Sequence, residues 1–467
     1  MIWAVTVILQ MAAGVVVDVT PLLKGHLYNA DGTIQAHESY LIRFNPSIVP
    51  IHGEYYLLKY HVLTKVRNMP MSYDAALNAS THFGFRELIY GPSHRTQCRH
   101  VSKRDQKWAD KPAHMSPLHP WFGGMWHMVQ FDGIGFAILR VHPNLTVTVV
   151  HEVCNVSYHG PDVLNSVIFE GDERLVSYGH TTKKKKRGFK YLITGDRARR
   201  KGQAIFAYVM TLRLDNENHI SSMVFDLPLY QSTSAVCSQS WGRDIRMPYG
   251  RNWALFTPEL HATRKLEFLY QLFPTWRIQQ TDHHTDQCQL LTPPLAYPVD
   301  KLYLSSVNSH RYALGTPLIK WSATEYLGVG HSRYSFFGNK SDHRHPVVNT
   351  SNWRVFTTLL QKHKENGTVT ETSPDIYFMF FYTININTRE VSRMSHSFLE
   401  APHLPYWLQF ASGLCKSHIG DDTFIISYGE GDCRVKLLFR TRQSIDRQLM
   451  NASEMVRTAD AHRFRIM

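Results

Sequence analysis

Helical periodicity is almost absent from this 467-residue chain. No long segment places apolar residues at i, i+3, i+4 and i+7 apart from a weak run after Thr441, which turns the reading away from helical folds. The sequence also has no apolar run that is clearly long enough to span a membrane. Met1 to Val17 carries no charged side chain but is short for a span, which takes about 20 residues. Glycine-rich phosphate cradles of the Walker or dinucleotide type are missing, and so is a Gly-x-Ser-x-Gly elbow. Cysteine is scarce: six residues, Cys98, Cys154, Cys237, Cys288, Cys415 and Cys433, whose wide spacing shows no zinc-type pairing. Histidine is plentiful, yet Thr281-Asp282-His283-His284-Thr285-Asp286 and Asp342-His343-Arg344-His345 are neighbours on loops, where ligands rarely converge on one ion. No metal and no other cofactor is expected.

Acidic residues are in the minority. Lys and Arg number 51 against 38 Asp and Glu, a formal charge of +13. This suits an anionic partner such as phosphate, nucleotide-sugar or acidic glycan, or serves as a solubilising surface. The densest basic run, Lys183 to Arg187, precedes Gly188 between two strand-like segments and reads as an exposed hairpin tip, so nucleic acid is not the expected partner.

What the chain does have is strands. Glu54 to Val62, Gly135 to Val141, Ala204 to Met210, Leu266 to Tyr270, Tyr326 to Gly330, Tyr377 to Tyr382 and Phe424 to Tyr428 are aromatic and β-branched. Four strand-like segments end on a small or aromatic residue followed by a polar one: Lys59-Tyr60-His61, Ser177-Tyr178-Gly179-His180, Gly328-Val329-Gly330-His331 and Ser427-Tyr428-Gly429-Glu430. That degenerate repeat predicts a single all-β domain, a β-propeller over residues 38–442, with residues 68–126 as a loop-rich insertion and 443–467 as a C-terminal tail. A pair of β domains is the alternative.

Met1 to Val17 fits a signal-peptide core running into Ala12-Ala13-Gly14, or an N-terminal anchor, although it lacks a basic leading region. Seven Asn-x-Ser/Thr sequons, at Asn78, Asn144, Asn155, Asn339, Asn349, Asn366 and Asn451, agree with a secretory route to the Golgi lumen or the exterior. An even cysteine count then allows up to three disulfides.

One stretch concentrates charge. Glu170, Asp172, Glu173 and Arg174 sit within five residues at the entrance of the strand-like segment Leu175 to Tyr178. A fold can aim charged groups from a strand entrance into a shared cavity.

Together, Asn45-Pro46-Ser47-Ile48, Asp172-x-Arg174, Arg251-Asn252-Trp253-x-x-Phe256, Gly315-Thr316-Pro317, Gly330-His331-Ser332-Arg333, Gln409-Phe410-Ala411-Ser412-Gly413 and Ser427-Tyr428-Gly429-x-x-Asp432-Cys433 resemble the five-bladed β-propeller group of carbohydrate-active enzymes. The resemblance spans about Asn45 to Leu438. It is nearest to glycosyltransferases of this fold and more distant to inverting β-mannoside phosphorylases and β-1,2-mannosyltransferases. It implies five blades with the site in a central funnel. Asp172 stands where the phosphorylases carry their catalytic aspartate, with Arg174 at the motif's arginine. Gly171 and Glu173 replace the motif's glutamate and proline, so Glu170 or Glu173 can share the role. Asn45 matches a sugar-site asparagine, and His61 stands where an arginine is expected. Arg251, Asn252, Trp253, His331, Arg333, Gln409, Tyr428 and Asp432 complete the implied substrate-binding set, although Gly250 replaces a glutamate.

The resemblance implies inverting glycosyl transfer on β-mannoside-like glycans from a sugar-phosphate or nucleotide-sugar donor, with Asp172 as proton shuttle. The alternatives are a glycoside hydrolase or phosphorylase on the same fold, and a glycan-binding propeller without catalysis. A single carboxylate suits transfer to or from phosphate better than hydrolysis, which normally uses two.

Overall fold

The computed structural model describes residues 14–23, 41–64, 131–153, 174–183, 186–199, 202–233, 252–263, 266–272, 276–280, 288–291, 312–334, 376–400, 409–430, 434–452 and 454. Nearly all of this is β-structure, arranged as five antiparallel sheets. Strand β1 (Val15–Asp18) comes first in the chain but belongs to the last sheet. The first sheet is β2 (Leu41–His52), β3 (Tyr55–Thr64), β4 (Phe131–Val141) and β5 (Val147–Val153), hydrogen-bonded in that order. The second repeats the pattern with β6 (Arg174–Lys183), β7 (Lys186–Arg199), β8 (Gly202–Leu214) and β9 (Ile220–Thr233). The third has β10 (Ala254–Leu255), a short helix α1 (Thr257–Thr263), then β11 (Glu267–Gln271), β12 (Trp276–Gln280) and β13 (Cys288–Leu291).

The fourth sheet contains β14 (Tyr312–Ala313) and β15 (Ile319–Lys320), which both pair with β16 (Glu325–Tyr334), followed by β17 (Ile376–Asn385) and β18 (Val391–Met394). The last is β19 (Gln409–Lys416), β20 (Thr423–Glu430) and β21 (Arg434–Thr441), completed on its outer side by β1. Helix α2 (Arg442–Asp446) follows, and β22 (Met450–Asn451) adds to β18 of the fourth sheet.

Segments on either side of residues 38–442 also join the sheets. Val15 to Asp18 pair in register with Phe439 to Lys436, so a boundary at Val17 would fall inside β1. Met450 and Asn451 pair with Met394 and Arg393, drawing part of the expected tail into the fourth sheet. Strands of two to four residues carry too few side chains to show a period.

The strands read as continuous apolar runs because both faces of a sheet are covered. Along β4, Phe136 and Ile138 face a cluster shared with Leu175, Tyr191, Ile193, Met210 and Leu212 of the second sheet. Ala137 and Leu139 face the opposite cluster, shared with Ile425, Val435, Leu437 and Phe439 of the last sheet. A third cluster joins Phe256 and Leu269 to Tyr326, Phe380 and Tyr382, and a fourth joins Leu327, Val329 and Phe381 to Leu414, Ile426 and Leu438. Each such side chain contributes about 1.5–3 kcal/mol on burial, so the seams between sheets are the core.

Polar links tie the same seams close to the first strands. Ser47 Oγ accepts from Leu175 N (2.8 Å) and donates to Ser412 O (3.1 Å), joining the first sheet to the second and the last. Leu318 N donates to Leu255 O (2.8 Å), where Phe256 and Leu318 form a parallel bridge between the third and fourth sheets. Gly315 leaves no space for a side chain: a Cβ there would lie 2.5 Å from Val329 O and 2.6 Å from Ala411 O, so glycine is what lets the fourth and last sheets approach.

The repeated strand endings resolve into two kinds. Lys59-Tyr60-His61, Gly330-His331 and Tyr428-Gly429-Glu430 lie in β3, β16 and β20, each of which pairs with the first strand of its sheet near that strand's start. Of these, only β20 stops at the expected place; β3 continues to Thr64 and β16 to Tyr334. Ser177-Tyr178-Gly179-His180 is different, being a bulge partway along β6, where the register with β7 shifts between Ser177 and Gly179.

Candidate functional site

The candidate site lies where the first strands begin. Asn45 is near the start of β2, Arg174 opens β6, Asn252 lies two residues before β10, Gly315 follows β14, and Gln409 opens β19. The connections from β3 to β4 and from β16 to β17 leave from this same end, because β3 and β16 run antiparallel to the strands that begin there.

Arg174 is the hub. Its side chain is buried, at 1% exposure, and its guanidinium reaches three other sheets. Nε donates to Gly315 O, Nη2 donates to Asn252 Oδ1 at 3.3 Å, and Cζ stands 5.1 Å over the Phe410 ring. Charged hydrogen bonds and a cation over an aromatic face are each stronger in a water-poor setting. These contacts make Arg174 a brace for the second, third, fourth and last sheets, at the residue that the resemblance assigns to the substrate. Tyr382 is also close enough for the Arg174 charge to act on it. Burial raises the Tyr382 phenol well above its ordinary range, and Arg174 offsets only part of that.

Two asparagines take left-handed backbone geometry at this end, Asn45 with φ 47° and Asn252 with φ 71°. Asparagine tolerates this region better than most residues, and such positions cluster where a fold aims a polar side chain. Asn45 sits at the irregularity between Phe44 and Ser47 in the β2–β3 pairing. It also packs on Gly429, where a Cβ would come within 3.1 Å of Asn45 N. Both asparagines are largely buried.

His331 is held between aromatic rings, 4.7 Å from Phe410 and 5.3 Å from Tyr377 between centroids. His61 and Lys59 alternate with Tyr60 on β3, and both are fully buried. The described cations and amides thus come from several sheets to one end, which suits recognition of hydroxyl and anionic groups.

Other expected residues are engaged by neighbours within the fold. Gln409 is fully buried and its amide is committed: Oε1 accepts from Glu400 N (2.8 Å), while Nε2 donates to Glu400 O (2.8 Å) and to Glu430 Oε1 (3.1 Å). Tyr428 is buried with its hydroxyl directed at Glu400 O (3.4 Å), and burial pushes its phenol up. Trp253 is 8% exposed and tilts against Phe268 at 6.4 Å, the packing of a core tryptophan. Glu430 is ion-paired with Lys436 and Glu400 with Arg440, so these two described carboxylates are bound to cations.

Asp172, Glu170, Arg251 and Asp432 lie outside the described residues, and Arg333 is described only as backbone within β16. Lys59, Ser47, Phe410, Glu430 and Lys436 had no role from sequence. Ser47 and Phe410 fall within the stretches that carry the resemblance, but Lys59, Glu430 and Lys436 would need the strand register to be found. No metal-holding group of three or more His, Cys, Asp or Glu occurs among the described residues. Cys415 is a free, buried thiol, so it belongs to no disulfide; the side chains of the other five cysteines lie outside those described.

Comparison with known proteins gives distant likenesses. No family model matches the chain, and no curated protein matches it. Among solved structures, a β-1,2-mannobiose phosphorylase from Listeria innocua, in complex with β-1,2-mannobiose, is similar at 13% identity and TM-score 0.44, covering 93% of this chain and 98% of that one. The catalytic domain of the GH62 α-L-arabinofuranosidase from Coprinopsis cinerea is similar at 7% identity and TM-score 0.23, covering 60% and 93%. Zg3597, a family 117 glycoside hydrolase from Zobellia galactanivorans, is similar at 13% identity and TM-score 0.21, covering 70% and 87%.

Proposed function

We propose that the five sheets are the blades of a five-bladed β-propeller and that the chain is a carbohydrate-active enzyme of the glycoside phosphorylase type. Its substrate class is β-mannoside-like glycans, with inorganic phosphate as acceptor. The observation that carries this reading is the composition of the end around Arg174. Amides, histidine and buried cations gather there, while Glu400 and Glu430 are each bound to a cation. Hydrolysis normally engages two carboxylates flanking the glycosidic bond. Phosphorolysis needs one acid together with cationic stabilisation of phosphate.

In this chemistry Asp172 donates a proton to the glycosidic oxygen as the bond from that oxygen to the anomeric carbon breaks. A phosphate oxygen attacks the anomeric carbon from the opposite face, giving a sugar 1-phosphate of inverted configuration and a free hydroxyl on the leaving glycan. Asn45, Asn252 and His331 are assigned to the sugar, and His61, Lys59, Arg251 and Arg333 to the anion. In this reading inorganic phosphate takes the place of the nucleotide-sugar donor. The test is a panel of β-linked manno-oligosaccharides incubated with and without phosphate, using wild type and Asp172→Asn. Sugar 1-phosphate formed only with phosphate, and reduced about 10²-fold or more in the variant, supports the reading. Phosphate-independent free sugar would indicate hydrolysis, and glycan binding without turnover would indicate a non-catalytic propeller.

A further inference from the structure

The seam between the first and second sheets is bridged by histidines at the end away from Arg174. The β8–β9 turn, Asp215 to His219, reaches the first sheet at two points. His52 Nε2 contacts Asn218 Oδ1 at 3.0 Å, and the His151 ring on β5 lies 5.0 Å from that of His219. His151 Nδ1 also accepts the backbone N–H of Ile220, the first residue of β9, at 3.3 Å. Beneath these contacts lies the apolar cluster of Val49, Ile51, Leu57, Phe136, Leu175 and Tyr191.

We propose that His151 and His219 form an acid-sensitive latch between the first and second sheets, closed while His151 is neutral and released when it takes up a proton. An imidazole whose Nδ1 accepts a hydrogen bond carries its proton on Nε2. The imidazolium has both nitrogens protonated, so it cannot keep the bond to Ile220 N–H, and it stands against His219.

The surrounding charges are specific. Asp215 and Glu217 each place a carboxylate oxygen 3.6 Å from His219 Nδ1. The Asp215 carboxyl is held below its usual value, first by the N–H of His219 and also by that of Glu217. Glu152 adjoins His151 on β5, His52 reaches the same turn, and Glu54 of the β2–β3 hairpin is paired with Arg140 at 2.6 Å. Arg213 lies between Leu212 and Leu214, which face the seam, so it alternates to the other face of β8. Burial is the main influence lowering His151, the His219 charge adds to it, and Asp215 and Glu152 oppose both.

The sign follows from linkage. A histidine depressed in the folded state contributes stability that is fully present above its unfolded value, about 6.5, and is lost as pH falls below it. Thermal melting of the full chain at pH 7.5 and 5.5 tests this in wild type, His151→Gln and His219→Gln. Glutamine at 151 can accept from Ile220 N–H but does not titrate. Wild type should lose about 2–4 °C between the two pH values beyond any loss in His151→Gln, and His219→Gln should fall between them.

A second readout needs no variant. Hydrogen exchange of the peptide containing Ile220 in wild type, corrected for the intrinsic rate, should lose protection about tenfold from pH 7.5 to 5.5. Equal acid losses in wild type and His151→Gln would overturn the latch. So would unchanged protection at Ile220, and this measurement decides the matter if the variants fail to fold.

Discussion

Replacing Arg174 by Met separates a brace from a substrate ligand. The variant keeps much of the side chain's length and removes its charge and donors. Gly315 O and Asn252 Oδ1 each lose a charge-assisted hydrogen bond, worth about 1.5–3 kcal/mol. The Phe410 ring loses a stacked cation, worth about 0.5–2 kcal/mol. The sum spans about 3.5–8 kcal/mol. Methionine recovers some apolar contact, and the three interactions share one group, so the lower part of that span applies, about 4 kcal/mol. At about 2 °C per kcal/mol in a large chain, the melting temperature should fall by about 8 °C. Lys416→Met is the control, since its pairing with the fully exposed Asp421 should move melting by no more than about 1 °C. Differential scanning calorimetry of the three proteins, with glycan affinity measured beside it, decides the role. If Arg174→Met melts within about 1 °C of wild type and loses affinity instead, Arg174 contacts substrate and the brace is wrong.

Two further outcomes follow from buried groups. The Tyr382 hydroxyl is fully buried with no hydrogen-bond partner among the described residues, so Tyr382→Phe should melt at or slightly above the wild-type temperature; a drop of several degrees would reveal a bond to the hydroxyl. Burial pushes the Cys415 thiol far above its usual value, so it should stay unlabelled by maleimide in the native protein and react fully in denaturant; rapid native labelling at Cys415, read by mass spectrometry, would show that the seam around it opens.

The main strands were legible because their residues are aromatic and β-branched, and because seams on both faces make each run continuously apolar. Leu57, Phe136, Phe381 and Ile426 each needed only that property to be placed in a strand. Strands β1, β14, β15 and β22 were not legible, since two to four residues gain their geometry from a partner whose register is set elsewhere.

For the site, Asn45, Arg174, Asn252, His331 and Gln409 lie toward one end of the sheets, but sequence could not tell which way each side chain is committed. Gln409 resembles a ligand residue until Glu400 is seen to occupy both ends of its amide. Arg174 resembles a free cation until the Gly315 carbonyl comes within reach, an approach that depends on Gly315 having no side chain. Glu430 and Lys436 are six positions apart in sequence, and the β20–β21 pairing brings their strands together.

Phosphorolysis with inversion is read plainly in the anomeric configuration of the first-formed product. Proton NMR during the first turnovers of a β-mannoside with phosphate should show α-mannosyl phosphate appearing in step with the shortened glycan, and no product in Asp172→Asn over the same interval. A β-configured sugar phosphate would contradict inversion, and free mannose formed at the same rate without phosphate would contradict phosphorolysis.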